Sequence, residues 1–165
     1  MFAKPIKRDL DLLSYVSITA PVTGSMFSIH EVQDEAFSRG YMGDGVAFDP
    51  IEGTVMAPIS GRVSYIGETK HAIVIEHASG LQFLIHIGID TVDLQGEGFE
   101  VFVKYGDPVS VGDLLITFDL DHITSAGYTP HVLVVVIGER NIARIECDFR
   151  NVVIAESHAF RVVLG

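Results

Sequence analysis

The stretch 70–90, KHAIVIEHASGLQFLIHIGID, decides the fold. Its two runs of Val, Ile, Leu and Phe are short enough for strands and flank an Ala-Ser-Gly interruption, so they read as a β-hairpin turning at Ser79-Gly80. Each run carries one imidazole among residues that otherwise belong in a core: His71 and His86. A two-residue loop sets residue 78 opposite 81 and Ile73 opposite His86. His71 is then the diagonal neighbour of His86 on the same face, about 7–8 Å away between Cα atoms. A four-residue loop would put His71 directly opposite His86, and a three-residue loop would send the two to opposite faces. The Ser-Gly pair favours an even loop, which predicts a facing pair.

One His on an apolar face is ordinarily a core residue with a single satisfied hydrogen bond. Two converging imidazoles suit either metal ligation or group transfer, in which one ring is the nucleophile and the other steadies the group it receives. Metal has little support, because His-Glu-x-x-His and His-x-His spacings are absent and no third ligand is visible. A His that attacks phosphorus makes a phosphoramidate whose charge needs donors, and a second imidazole N–H together with a hydroxyl would supply them. Thr69, two residues before His71, is expected on the same strand face in that role. Asp90, four residues after His86, reads either as a rim carboxylate meeting a basic partner or as a turn-capping residue after Gly88. His30, His77, His122, His131 and His158 show no pairing and read as surface or turn residues.

Outward from the hairpin, short β-branched and aromatic runs recur between Gly, Pro, Asp and Ser: YVSITAP, GSMFSI, GVAFDP, GTVMAP, GRVSYIG, LLITFD, VLVVVIG, NVVIA and AFRVVL. That spacing predicts an all-β, single-domain antiparallel β-sandwich/barrel with only short helical turns, placed in EVQDEAFSR and DLDHITSAG. GIDTVDLQGEGFE reads as a loop. TAPVTGSM at 19–26 returns as MAPISGRV at 56–63, each with Pro ending a strand and Gly permitting a turn. The repeat predicts a duplicated (hybrid) β-motif. Residues 1–17 read as a short N-terminal arm and 18–165 as the domain.

A chain of 165 residues suits one domain with a sizeable core. With 22 acidic against 11 basic side chains and a net charge of −11, nucleic acid is an unsuitable partner and a basic protein a suitable one. VLVVVIG stops far short of the roughly 20 residues that span a bilayer, and the N-terminus lacks the apolar stretch of a secretory signal, which predicts a cytoplasmic protein without a membrane span. The single Cys147 agrees, since it can form no internal disulfide, and it reads as a buried inert thiol.

MGDGVAF, MAPISGRV, ETKHAIVIE, FLIHIGIDTVDLQGEGF, GDPVSVGDLLITFDL and TPHVLVV, in that order, resemble the glucose-type enzyme IIA component of the bacterial phosphoenolpyruvate-dependent sugar phosphotransferase system. The resemblance runs from about Ile18 to Leu164. It implies a β-sandwich that accepts a phosphoryl group from the phosphocarrier protein HPr and hands it to a cysteine of the sugar-specific IIB domain of a IIBC permease, with no cofactor. It also implies that His86 is phosphorylated, that His71 assists with Thr69 beside it, and that Asp34 and Asp90 meet basic side chains of the partner. Phe37 falls in an apolar collar that excludes water from the phosphohistidine. Gly67 and Leu84 stand where relatives often carry aromatics, so the collar is expected to be less aromatic here. Free-standing members of that family can carry an amphipathic N-terminal arm that touches a membrane; here Pro5 interrupts the pattern and the arm is short.

Two other readings of the residues stand beside this one. APISGRV and GDPVSVGDLL are turns that biotinyl and lipoyl carrier domains also use, and Lys70 in ETKHA offers an attachment point, although the chain is about twice the size such a carrier needs. A metal-dependent hydrolase with His71 and His86 as ligands is the other.

Overall fold

The computed structural model describes residues 14–138 and 140–165. Most of the expected arm, residues 1–13 with Pro5, lies outside the described residues, and residues 15–17 belong to a strand. Among the described residues three antiparallel sheets make the fold. The largest has eight strands in the order β13 (Asn151–Val152), β2 (Gly24–Ser28), β3 (Asp44–Pro50), β11 (Thr129–Ile137), β7 (Gln82–Ile89), β6 (Ala72–Glu76), β5 (Gly61–Ile66) and β9 (Pro108–Val109). The two smaller sheets are β1 (Tyr15–Ile18), β14 (Phe160–Leu164), β12 (Ile142–Glu146) and β4 (Thr54–Met56), β10 (Leu114–Phe118), β8 (Phe99–Val101). The sheets stay open and close no barrel, so the sandwich half of the expectation describes the molecule. The α-helical pieces are one or two turns long, Glu35–Ser38 and Leu120–Ser125, inside the stretches that predicted them; 3-10 turns add Ile29–Glu31 and Thr91–Leu94, the latter, with the start of β8, inside the stretch that read as a loop.

Side-chain alternation on the central strands explains why they read as nearly unbroken apolar runs. Phe83, Ile85 and Ile87 of β7 point inward to a core shared with both small sheets, where Phe48, Ile73, Ile116 and Val162 are fully buried. Leu84 of β7 joins a second apolar cluster on the outer face with Ala72, Val74, Ala47, Leu133 and Val135. A strand buried on both faces has no polar side to show. The outer cluster is completed by Ile29, Val32 and Phe37, all from the 29–43 connection between β2 and β3.

The TAPVTGSM and MAPISGRV repeats touch each other as symmetric partners. The Thr19 N–H donates to the Pro58 carbonyl and, in the equivalent position, the Met56 N–H donates to the Pro21 carbonyl, both at 2.9 Å. The Met26 N–H to Arg150 carbonyl bond (2.8 Å) has its counterpart in Val63 to Asp107 (2.9 Å). The equivalence extends across the whole large sheet. On the β7–β11 ladder Val132 pairs with Ile87 and Val136 with Phe83, so an approximate two-fold axis passes between the two strands. Under that axis the pair Leu133–His86 corresponds to Leu84–Val135, and Ala72, opposite His86, corresponds to Gly45, opposite Val135.

Strands β8, β9 and β12 were not predicted. β9 has two residues and β8 three, and β12 alternates only partly buried with exposed positions, so none leaves a clear apolar period.

Candidate functional site

His86 lies in the middle of β7 on the outer face, between Ala72 of β6 and Leu133 of β11. Its ring meets the His71 ring at 4.9 Å between centroids with the planes almost perpendicular (86°). The Phe37 ring lies on another side of it at 5.0 Å. The predicted pair therefore meets, by a route that differs from the predicted one. The β6–β7 loop has three residues, because Glu76 pairs with Gln82 and the His77 N–H donates to the Leu81 carbonyl. Gly80 adopts φ +89° and its N–H donates to the His77 carbonyl, the three-residue hairpin that a left-handed third position permits. Strict alternation would then put His71 on the inner face with Ile73. His71 escapes it by preceding the strand: Lys70 is left-handed (φ +64°), so the backbone at 70–71 is not extended, and the ring swings to the His86 side.

Thr69 is likewise in the turn that precedes β6 and not on the strand, the Lys70 N–H donating to the Gly67 carbonyl. Its Oγ1 lies 2.6 Å from His71 Nδ1. When the hydroxyl donates, the His71 proton sits on Nε2 and is available to a third group. A Cβ at position 96 would touch the Lys70 side chain at 3.6 Å, so Gly96 leaves that side chain its room.

Burial, and after it the neighbouring His71, hold the His86 pKa down at about 4, while the Gly88 backbone and the Asp34 carboxylate oppose both. His71 is lowered too, by burial, against the backbone of Thr69. Both rings are therefore neutral at pH 7. His86 Nδ1 is shut off from solvent and makes no hydrogen bond of ordinary geometry, although the Gly88 backbone still favours a proton on the ring.

Asp34 caps the helix Glu35–Ser38, its carboxylate accepting from the Ala36 N–H at 2.9 Å, and that helix holds Phe37 (4% exposed) over His86. Asp90 is exposed and left-handed (φ +60°), and its side chain makes no capping hydrogen bond to the turn Thr91–Leu94 that follows it. The end of β7 is locked by two residues whose part the sequence left open. Gly88 (φ +82°) has no room for a Cβ, which would stand 2.2 Å from Thr91 Cγ2, and the buried Thr91 hydroxyl donates to the Ile87 carbonyl. Leu84 lies buried two residues from His86, and Gly67 in the turn before Thr69.

His131 departs from its reading as a surface or turn residue. It is half-buried within β11, two residues before Leu133 and so on the His86 face, with the Phe27 ring edge-on at 4.8 Å. The signal was its place in TPHVLVVV, at strand period from Leu133. Cys147 is partly buried, and burial pushes its thiol up to about 11, in keeping with an inert thiol. No group of three or more His, Cys, Asp or Glu converges among the described residues as a metal site would require.

Comparison with known proteins bears on all of this at once. A family model described as phosphoenolpyruvate-dependent sugar phosphotransferase system, EIIA 1, matches residues 16–142, a span that includes the whole histidine hairpin. The chain is 44% identical over 125 residues to the PTS system glucose-specific EIIA component of Staphylococcus aureus (strain COL), covering 76% of this chain and 75% of that one, and 43% identical over the same length to the protein of that name from strain MSSA476. Among solved structures, glucose permease IIA from Mycoplasma capricolum superposes with a TM-score of 0.79 at 32% identity, covering 89% of this chain and 96% of that one. Matched in sequence over most of its length and in its fold as well, the chain belongs to the EIIA 1 family of the phosphoenolpyruvate-dependent sugar phosphotransferase system.

Proposed function

We propose that His86 accepts the phosphoryl group of phospho-HPr and passes it to a cysteine of a sugar-specific IIB domain, in the cytoplasm, with His71 and Thr69 assisting. The observation that carries this is a buried, neutral imidazole in perpendicular, edge-on contact with a second one. A neutral ring is the nucleophilic form. Since Nδ1 is sealed in the protein, Nε2 is the nitrogen a partner can reach. Its lone pair attacks phosphorus as the bond from phosphorus to the HPr nitrogen breaks, and the Nδ1 proton stays in place. Charge spreads over three phosphoryl oxygens in a loose transition state. His71, with Thr69 donating to its Nδ1, turns an Nε2–H toward that charge. Loading depends chiefly on the neutral nucleophile at His86; in the second half-reaction the bond from His86 to phosphorus breaks as the cysteine sulfur takes the group, and there the His71 donor matters most.

Asp34 and Asp90 flank the acceptor as contacts for basic side chains of the partner, and Phe37 shields it from water. The test supplies phosphoenolpyruvate, enzyme I and HPr and reads acid-labile phosphate on the chain. His86→Ala should abolish the label. Equal labelling of His86→Ala and the parent would disprove the assignment. His71→Gln should still label from HPr and lose roughly 10²–10³ in the rate of onward transfer, the typical effect of one lost preorganised donor. Equal losses in both half-reactions would reduce His71 to a shaping role.

A further inference from the structure

The carboxylate that nothing in this scheme uses is Asp49 of β3. On the outer face Leu133 stands directly opposite both His86 and Ala47. Two residues further along, one step past the Val132–Phe48 pair, His131 and Asp49 form the next row, with His131 Nε2 3.9 Å from Asp49 Oδ1. Two strand spacings and one two-residue step put the Asp49 Cα about 12 Å from that of His86. A partner contact of ordinary size covers about 800 Å² on each side, a disc of about 16 Å radius. A protein that centres a contact of that size on His86 therefore covers Asp49.

Its side chain is 57% exposed, and no Lys or Arg lies within ion-pair distance of it among the described residues. His131 does not neutralise it, for burial lowers the His131 pKa and Asp49 only partly opposes this. The His131 Nδ1 is buried without a partner, and the Phe27 ring packs edge-on against the imidazole, so His131 is a fixed neutral neighbour. A carboxylate covered in that condition carries a desolvation cost unless the covering surface brings a cation. On a chain of net charge −11, a basic partner is also what the long-range field selects.

We propose that Asp49, positioned by His131, contacts a basic side chain of the phosphoryl-bearing partner and helps set its affinity. The inference rests on the reading of His86 as acceptor. Single-turnover phosphorylation by increasing phospho-HPr separates docking from chemistry. Asp49→Asn should raise the half-saturating HPr concentration a few-fold, and Asp49→Lys about tenfold or more with a smaller salt dependence, while the saturating rate stays unchanged. Glu100→Lys makes the same charge change on β8, in the other layer of the sandwich. It should move half-saturation less than Asp49→Lys does. His131→Phe should weaken docking in the parent and add nothing in the Asp49→Asn background, as expected of a residue that acts through Asp49. Half-saturation within twofold of the parent in Asp49→Lys would overturn the proposal, as would an equal shift in Glu100→Lys or a lower saturating rate with docking unaltered. Absence of label on the parent protein would overturn the acceptor reading with it, whereas normal label with unaltered docking overturns this inference alone.

Discussion

The two halves of the duplicated fold use one ladder of strands for opposite ends. Where β7 carries His86, opposite Leu133 and Ala72, its counterpart β11 carries Val135, opposite Leu84 and Gly45. His71, whose carbonyl accepts from the Ile87 N–H at 2.8 Å, has Asp44 in the equivalent place, paired with Val136. The connections differ as well. Between β5 and β6 the chain needs only residues 67–71, which deliver Thr69 and His71; between β2 and β3 it takes residues 29–43, which deliver Asp34 and Phe37. One half thus supplies the proposed acceptor and the residues beside it, and the other the roof over them. A duplicated scaffold leaves each half free to change the loops and one or two outward residues without disturbing the shared inward core.

Trimming the roof should have the largest effect. Phe37→Ala removes a side chain that is 4% exposed and makes the long connection as bare as the short one; it should cost about 3–5 kcal/mol in urea unfolding and shorten the lifetime of the phosphohistidine. An unchanged lifetime would mean that Phe37 only packs.

Making the halves alike at the acceptor comes next. His86→Val puts on β7 what β11 already has, and it should abolish phosphorylation while keeping the fold. It should also change the response to acid. The folded His86 pKa of about 4 lies below the usual 6.5, so the native state resists the proton that the unfolded chain accepts. The stability this contributes is complete above pH 6.5 and is lost as pH falls through 4, about 3 kcal/mol in all. His86→Val should therefore lose about 3 kcal/mol less than the parent between pH 7 and pH 4. Identical acid losses would place the sensitivity elsewhere, for example in His71 and His131, whose pKa values are also lowered. Over the same range phosphorylation of the parent should stay near its neutral rate until pH approaches 4.

The smallest change belongs to the cap of the roof. Asp34→Ala removes the bond to the Ala36 N–H and should cost about 1 kcal/mol. It also removes a charge that raises the His86 pKa, so the acid limb of the rate profile should move to lower pH. A limb that moves upward would contradict the assigned sign.

Much of this was legible in the chain. The apolar runs on either side of Ser79 gave the hairpin, and the Ala-Pro repeats gave the duplication, because strand length and turn chemistry are local properties. The meeting of His71 and His86 was predicted through two errors that cancel. Three loop residues replace two, which reverses the face, and a left-handed Lys70 reverses it again. Local composition does not signal a left-handed Lys, since that conformation is held by the turn around it and not favoured by the residue. His131 was missed for the related reason that its neighbours lie on strands distant in sequence, β2 and β3.

The large sheet ends on both sides in strands of only two residues, β13 and β9, and β9 begins with Pro108, which has no N–H to offer. An open eight-stranded sheet would otherwise present two long rows of unpaired backbone groups on which another copy could add a strand. Here each row is nearly vanishing, and the net charge of −11 keeps copies apart. The large sheet, which carries His86, thus offers a second copy almost no edge on which to add a strand.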